Sequence, residues 1–150
     1  MQIEAVIKAT KPMQLHTKTV INLMYRARVV EESVNKILKP YDLSIQQYNV
    51  LRILRGQAGK PANLSTVTER MVDPNSNTTR LIDKLLIKKL AKRQVCQSNR
   101  RKVELFITPK GLALLEELDP LTEDNNQRIL QGLNEEELET LNTFLNNIYS

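Results

Sequence analysis

The sequence predicts a mainly α-helical fold carrying one small β-hairpin, and three observations predict it. Apolar residues recur at spacings of three and four along much of the chain, the signature of amphipathic helices. That period fades after Leu90, and two short β-like runs appear on either side of a polar, turn-forming stretch. Charge is also segregated. From residue 80 to 110 ten basic residues oppose two acids, a net of +8, whereas from 111 to 150 nine acids oppose Arg128 alone, a net of −8. The overall +5 conceals a polarised chain, and a basic patch is the electrostatic footprint of phosphate binding.

Residues 1–14 are ambiguous: Ile3, Val6 and Ile7 fit one face of a short helix that Pro12 ends, and so short a helix needs a partner surface. From Thr17 to Lys39 the apolar residues Val20, Leu23, Met24, Ala27, Val30, Val34, Ile37 and Leu38 predict one long amphipathic helix, stopped by Pro40. Ser44 suits the next N-cap, and Gln47 three residues later completes a capping box before Ile45 to Leu54. Gly56 and Gly59-Lys60-Pro61 break that helix. Leu64 to Met71 reads as a short helix with Ser65 near its start, where free N–H groups can meet a phosphate. The link Met71-Val72-Asp73 is short, as the turn between two paired helices requires. Asp73 suits an N-cap and Pro74 the first helical position, so a second helix is expected from Pro74. Its core side would hold Leu81, Leu85, Ile82 and Leu86.

Beyond Leu90, Gln94 to Cys96 and Lys102 to Ile107 read as two strands joined by Gln97-Ser98-Asn99-Arg100-Arg101. Thr108 caps a helix from Pro109, with Leu112, Leu114, Leu115 and Leu118 on its apolar side, and Pro120 is expected to kink or split it. Asn134 caps a last helix whose Glu135, Glu136 and Glu137 lie at the positive end of the helix dipole. Leu138, Leu141, Phe144, Leu145 and Ile148 then form a continuous apolar stripe, which packs either on its own domain or on a partner.

The polar cluster Asn75, Ser76, Asn77, Thr78, Thr79 and Arg80 offers short donors and acceptors, suited to base edges in a major groove about 12 Å wide. A capped, solvated helix start is the plainer reading of the same residues. Arg100 and Arg101 at a hairpin tip suit a narrow minor groove, where negative potential concentrates. A basic helix followed by a basic hairpin is the way a winged helix-turn-helix holds a duplex.

Catalytic chemistry finds little footing. His16 is the sole histidine, whereas metal sites need about three or four ligands. No phosphate-cradling glycine motif occurs among four glycines. Cys96 has no resolving partner in the chain, which favours a small strand residue over an oxidant sensor. One cysteine excludes an internal disulfide and fits a reducing compartment. No apolar run approaches the roughly 18 residues of a membrane span, and Lys8 and Lys11 interrupt any signal-peptide core. A cytoplasmic location is expected.

The sequence resembles the MarR family (multiple antibiotic resistance regulators). Thr79-Arg80-Leu81-Ile82-Asp83-Lys84-Leu85 is similar to the family's recognition helix, and Lys89-Leu90-Ala91-Lys92-Arg93 to its wing entry. Asn99-Arg100-Arg101 is similar to the wing tip, and Leu105-Phe106-Ile107-Thr108-Pro109-Lys110-Gly111 to the strand-to-helix turn after it. The helical pattern extends the match over roughly residues 16–150. The family's tip usually reads Asp-Arg-Arg; Asn99 can hydrogen-bond a guanidinium but cannot neutralise it.

The resemblance implies a single domain, 1–150, mainly α with a small β-hairpin wing: a winged helix-turn-helix with N- and C-terminal dimerisation helices. Residues 1–40 and 112–150 would form the dimerisation helices and 41–111 the DNA-binding lobe. It implies a homodimeric, sequence-specific transcriptional regulator on a pseudo-palindromic operator, a repressor relieved by a small aromatic or acidic effector. Asn75, Ser76, Asn77, Thr78, Thr79, Arg80 and Lys84 would read DNA, with Asn99, Arg100 and Arg101 in the wing and Ser65 and Lys88 on the backbone. Leu138, Leu141, Phe144, Leu145 and Ile148 would bind the second subunit, and Tyr25, Arg28 and Tyr48 would line the effector site. No cofactor, metal or membrane partner is implied. The alternative is a winged-helix module that docks an acidic protein. Both need the basic patch, but docking would not need the polar cluster and would favour aromatic anchors, which are only 4% of residues.

Overall fold

The computed structural model describes residues 2–149. Its elements run α1 (Ile3–Val6), α2 (Leu15–Leu38), a 3-10 turn (Lys39–Tyr41), α3 (Ile45–Arg55), α4 (Leu64–Glu69), α5 (Thr78–Ile87), β1 (Ala91–Val95), β2 (Val103–Ile107), α6 (Pro109–Leu130) and α7 (Glu135–Asn146). The mainly helical winged fold expected from the sequence is present.

Three helices start at the caps expected from the sequence, Ser44 for α3, Thr108 for α6 and Asn134 for α7. Ser44 and Gln47 close a reciprocal capping box on α3, and Asn134 and Glu137 do the same on α7. Thr108 Oγ1 accepts from the Gly111 N–H at 3.1 Å and donates to the Lys89 carbonyl at 2.7 Å, so one side chain caps α6 and ties it to the end of α5. Pro120 does not split α6, which runs unbroken through it. Its missing N–H lies on the solvent side of a helix anchored by the fully buried Leu115 and Leu118.

The start of α5 differs from expectation. The helix begins at Thr78 under an Asn77 cap, not at Pro74 under Asp73. The Asp73 carboxylate instead accepts from the Asn75 N–H at 3.0 Å, and the Ser76 N–H reaches the Asp73 carbonyl at 3.1 Å. With Pro74 at its second position this is a β-turn, a use of Asp and Pro that competes directly with helix capping. The connection from α4 to α5 therefore spans residues 70–77 instead of a short Met71-Val72-Asp73 link. Similarly, α4 is capped by Asn63, whose Oδ1 accepts from the Thr66 N–H at 2.8 Å.

The two strands pair antiparallel, with Ala91 opposite Ile107 and Val95 opposite Val103. Ala62 adds a bridge to Leu105, exchanging backbone hydrogen bonds of 3.0 and 2.7 Å, so the hairpin root is fastened to the loop before α4. The hairpin also abuts α6. A side chain at Gly111 would collide with the Leu90 carbonyl oxygen and lie 2.7 Å from Ile107 Cγ1, which leaves room for hydrogen alone.

One core joins these elements. It includes Leu51, Val50, Leu54, Val67, Leu85 and Leu105, closed by Leu38 from the end of α2 and Leu115 and Leu118 from the start of α6. Away from that core the picture reverses. In α2, Val20, Leu23 and Met24 are exposed, and α7 buries none of its described residues. Phe144, Leu145 and Ile148 stand in solvent, with Leu138 and Leu141 half-buried.

Candidate nucleic-acid interface

Helix α5 has an inner and an outer side. Thr78, Ile82 and Leu85 are buried, Leu81 and Leu86 half-buried, while Thr79, Arg80, Asp83, Lys84 and Ile87 face outward. Of the polar cluster predicted to read bases, Asn75, Asn77, Thr79 and Arg80 are exposed, and Ser76 is half-buried with its hydroxyl enclosed. Thr78 is corrected: at 5% exposure it belongs to the core side. Thr78 lies four residues before Ile82 and seven before Leu85, so helical spacing puts it on their buried face. Asn77 Oδ1 is committed to the Arg80 N–H at 3.1 Å, leaving its amide NH₂ group for a partner.

The wing tip is a tight turn. Its backbone closes through Cys96 N–H to the Lys102 carbonyl at 2.9 Å and Lys102 N–H to the Asn99 carbonyl at 2.9 Å. Asn99 Oδ1 accepts from the Arg101 N–H at 3.1 Å. The side chain that replaces the usual acid therefore shapes the turn and does not hold a guanidinium. Arg100 and Arg101 are exposed, and no ion pair engages either of them among the described residues. Arg93 on β1 lies 3.9 Å from Asp83 on α5, a loose link between hairpin and helix.

Between α4, α5 and the hairpin runs a groove of about 400 Å³ that brings Ser65, Thr79, Arg93, Arg101 and Lys102 together. Three cations there face Asp83 alone. Ser65 Oγ donates to Asn63 Oδ1 at 2.7 Å, so its proton serves the α4 cap and reaches a phosphate only if that bond is released. Lys88 is corrected more sharply. Its ammonium turns toward the start of α3, 3.0 Å from Asp42 Oδ2, and also bonds the Asp42 carbonyl. It is not presented with Arg101 as a free phosphate contact.

Of the three residues expected at the effector site, Tyr48 lines a cleft. Tyr48 is buried under Arg52, whose guanidinium lies 5.7 Å from the ring centroid, and its hydroxyl is 3.3 Å from Thr122 Oγ1 on α6. It lines a cleft of about 440 Å³ with Val34, Arg52, Asp119 and Thr122. Tyr25 and Arg28 are not in that lining. Arg28 is exposed and donates to Glu32 at 2.8 Å, a bond that pushes its guanidinium pKa above the ordinary value. At the edge of the cleft Arg55 grips Asp119 with two bonds of 2.6 and 3.1 Å, tying α3 to α6. That bond raises the Arg55 pKa. Sequence reasoning passed over Arg52, Arg55, Asp119 and Thr122, because residues 64 apart in sequence give no local sign that they meet.

Among the described residues no group of three or more His, Cys, Asp and Glu could hold a metal ion, and no helix is long and apolar enough to cross a membrane. Cys96 is half-buried with its sulfur 3.1 Å from Ser98 Oγ.

No family model matches the chain. It is 32% identical over 107 residues to the HTH-type transcriptional regulator TcaR of Staphylococcus aureus (strain Newman), covering 70% of this chain and 69% of that protein. The chain belongs to the MarR family. Solved structures agree with this assignment. The MarR transcription factor from Planctomyces limnophilus superposes with a TM-score of 0.70 at 29% identity, covering 91% of this chain and 98% of that one. BpsR of Bordetella bronchiseptica, whose DNA binding is regulated by 6-hydroxynicotinic acid, gives 0.79 at 25% identity, with 92% and 97% covered. This MarR-family chain is a DNA-binding transcription regulator and not an enzyme.

Proposed function

We propose that this MarR-family protein acts as a homodimer on a pseudo-palindromic operator and represses transcription in the cytoplasm until a small ligand binds. The observation that carries the reading is the pairing of α5's outward side, Thr79, Arg80 and Lys84, with a wing tip whose two arginines have no carboxylate partner among the described residues. Asn75, Asn77, Thr79 and Arg80 read base edges in the major groove, and Arg100 enters the adjacent minor groove. Arg101, in the groove beside Thr79, holds the phosphate backbone.

Residues 41–111 form the DNA-binding lobe in this reading, and 1–40 with 112–150 supply the dimer contacts. The exposed apolar residues of α2 and α7 support it, since large apolar side chains left in solvent along a helix are suited to burial against a partner. Leu138, Leu141, Phe144, Leu145 and Ile148 are the α7 contribution. Leu38 of α2 and Leu115 and Leu118 of α6 are buried in the core of the lobe, so a ligand that shifts α6 against α3 would change the spacing of the two lobes in the dimer. The cleft beside Tyr48 is the candidate site for it. An aromatic ring fits against Tyr48, and Arg52 is the cation in the lining that would take a carboxylate. Such a ligand acts only through different affinity for the two spacings.

The test is Arg100→Ala titrated against salt on selected DNA. The slope of log affinity with log salt should shrink by about 0.9 for each phosphate that the wing ceases to neutralise, and minor-groove discrimination should relax. Unchanged affinity and slope would remove the wing from the mechanism.

A further inference from the structure

We propose that the cleft on the side of α5 away from the wing is a second seat for the DNA backbone, where Lys39 and Lys84 grip a phosphate and Asp42 restrains Lys88. This rests on the DNA-binding reading above and extends it to the end of α2.

A helix lying in a major groove has a phosphate strand on either side. On one side of α5, Thr79 and Asp83 line the groove shared with Arg101 of the wing. On the other, Lys84, Ile87 and Lys88 line an open cleft of about 620 Å³ shared with Lys39 and Ser44. Three lysines there oppose one acid, Asp42. Neither Lys39 nor Lys84 has an acidic partner among the described residues. Both are exposed, and Lys84 shares the outward side of α5 with Arg80. A strand of phosphates passing that side meets them without rearrangement.

Lys88 is held differently. Asp42 Oδ2 lies 3.0 Å from its ammonium, and Oε1 of the buried Gln47 lies 3.5 Å away. Asp42 itself sits in a left-handed conformation, φ 51°, with its carboxylate almost wholly in solvent. That carboxylate stands between Lys88 and an arriving phosphate. It weakens the attraction of the cleft for any anion, without regard to base sequence. The turn thus sets how strongly the protein holds DNA of any sequence.

The test uses the full chain on two duplexes of equal length, one selected for binding and one unrelated, titrated over a range of salt. Lys39→Gln should weaken both by the same factor and reduce the salt slope by about 0.9, because a phosphate contact carries no sequence information. Lys39→Arg should restore the slope. Asp42→Asn should tighten both duplexes severalfold. An unchanged slope in Lys39→Gln with an unaltered melting curve, or a weakening confined to the selected duplex, overturns the proposal. Replacing chloride with inorganic phosphate at equal ionic strength should weaken the wild type more than Lys39→Gln, because free phosphate competes for the same lysines; equal weakening of the two would also overturn the proposal. Loss of preference for the selected duplex in the wild type itself would defeat the operator reading, while the slope comparison would still judge the lysine cleft.

Discussion

Gly111→Ala separates what helix propensity expects from what packing dictates. Gly111 is the third residue of α6 and is buried. Propensity alone favours alanine there by about 0.8–1 kcal/mol. An added Cβ, however, would lie 2.7 Å from Ile107 Cγ1 and collide with the Leu90 carbonyl oxygen. The isoleucine tip can rotate. The carbonyl cannot withdraw freely, because it accepts the Thr108 N–H at 3.1 Å in the joint between hairpin and helix. Overpacking costs about 1–3 kcal/mol, and weakening that hydrogen bond adds about 0.5–1.5 kcal/mol. The net expectation is a loss of about 1–3 kcal/mol, or roughly 2–4 °C of melting temperature per kcal/mol for a chain of this size. Gly132→Ala is the control. Nothing lies within 4 Å of its ideal Cβ, and its φ is not positive, so alanine there should stabilise by about 0.4–1 kcal/mol through the unfolded chain. Urea unfolding followed by circular dichroism at fixed chain concentration reads both. A Gly111→Ala protein as stable as the wild type would refute the close seating of the wing root on α6.

Other expectations follow from single residues. Thr79→Ala should reduce discrimination between selected and unrelated DNA by about 1–3 kcal/mol, whereas Thr78→Val, on the buried side of α5, should leave it intact; competition binding distinguishes them. Phe144→Glu should weaken subunit association at least tenfold with little loss of helix content, because α7 buries none of its described residues within one subunit; sedimentation velocity against concentration measures it. Lys18 holds the Glu4 carboxyl below its usual pKa by hydrogen bond and charge. The folded value is thus depressed, and the contribution is present above the ordinary carboxylate pKa and lost as pH falls through the folded one. Glu4→Gln should flatten the acid limb of the stability curve, as seen in pH-dependent melting.

Sequence legibility tracked the range of the interactions. The capping box at Ser44 and the cap at Asn134 are local signals, and both are present in the fold, Asn134 closing a box with Glu137 as well. The hairpin was legible because β-branched and alternating residues replace the helical period, although β1 begins at Ala91, earlier than the sequence suggests. Asp73 misled because Asp-Pro serves a β-turn as well as a helix start, and only the bond to the Asn75 N–H decides between them. Thr78 shares the core side of α5 because it precedes Ile82 by four residues and Leu85 by seven. Lys88 reads as free in sequence because its partner, Asp42, lies 46 residues away. The grip of Arg55 on Asp119 escaped for the same reason.

The number of chains that occupy one duplex tests the dimeric DNA-binding reading most directly. Equilibrium sedimentation of the protein on a duplex selected from random sequence should find two chains per DNA, with half-sites about 34–36 Å apart. One chain per duplex, bound at a single half-site with undiminished affinity, would contradict it.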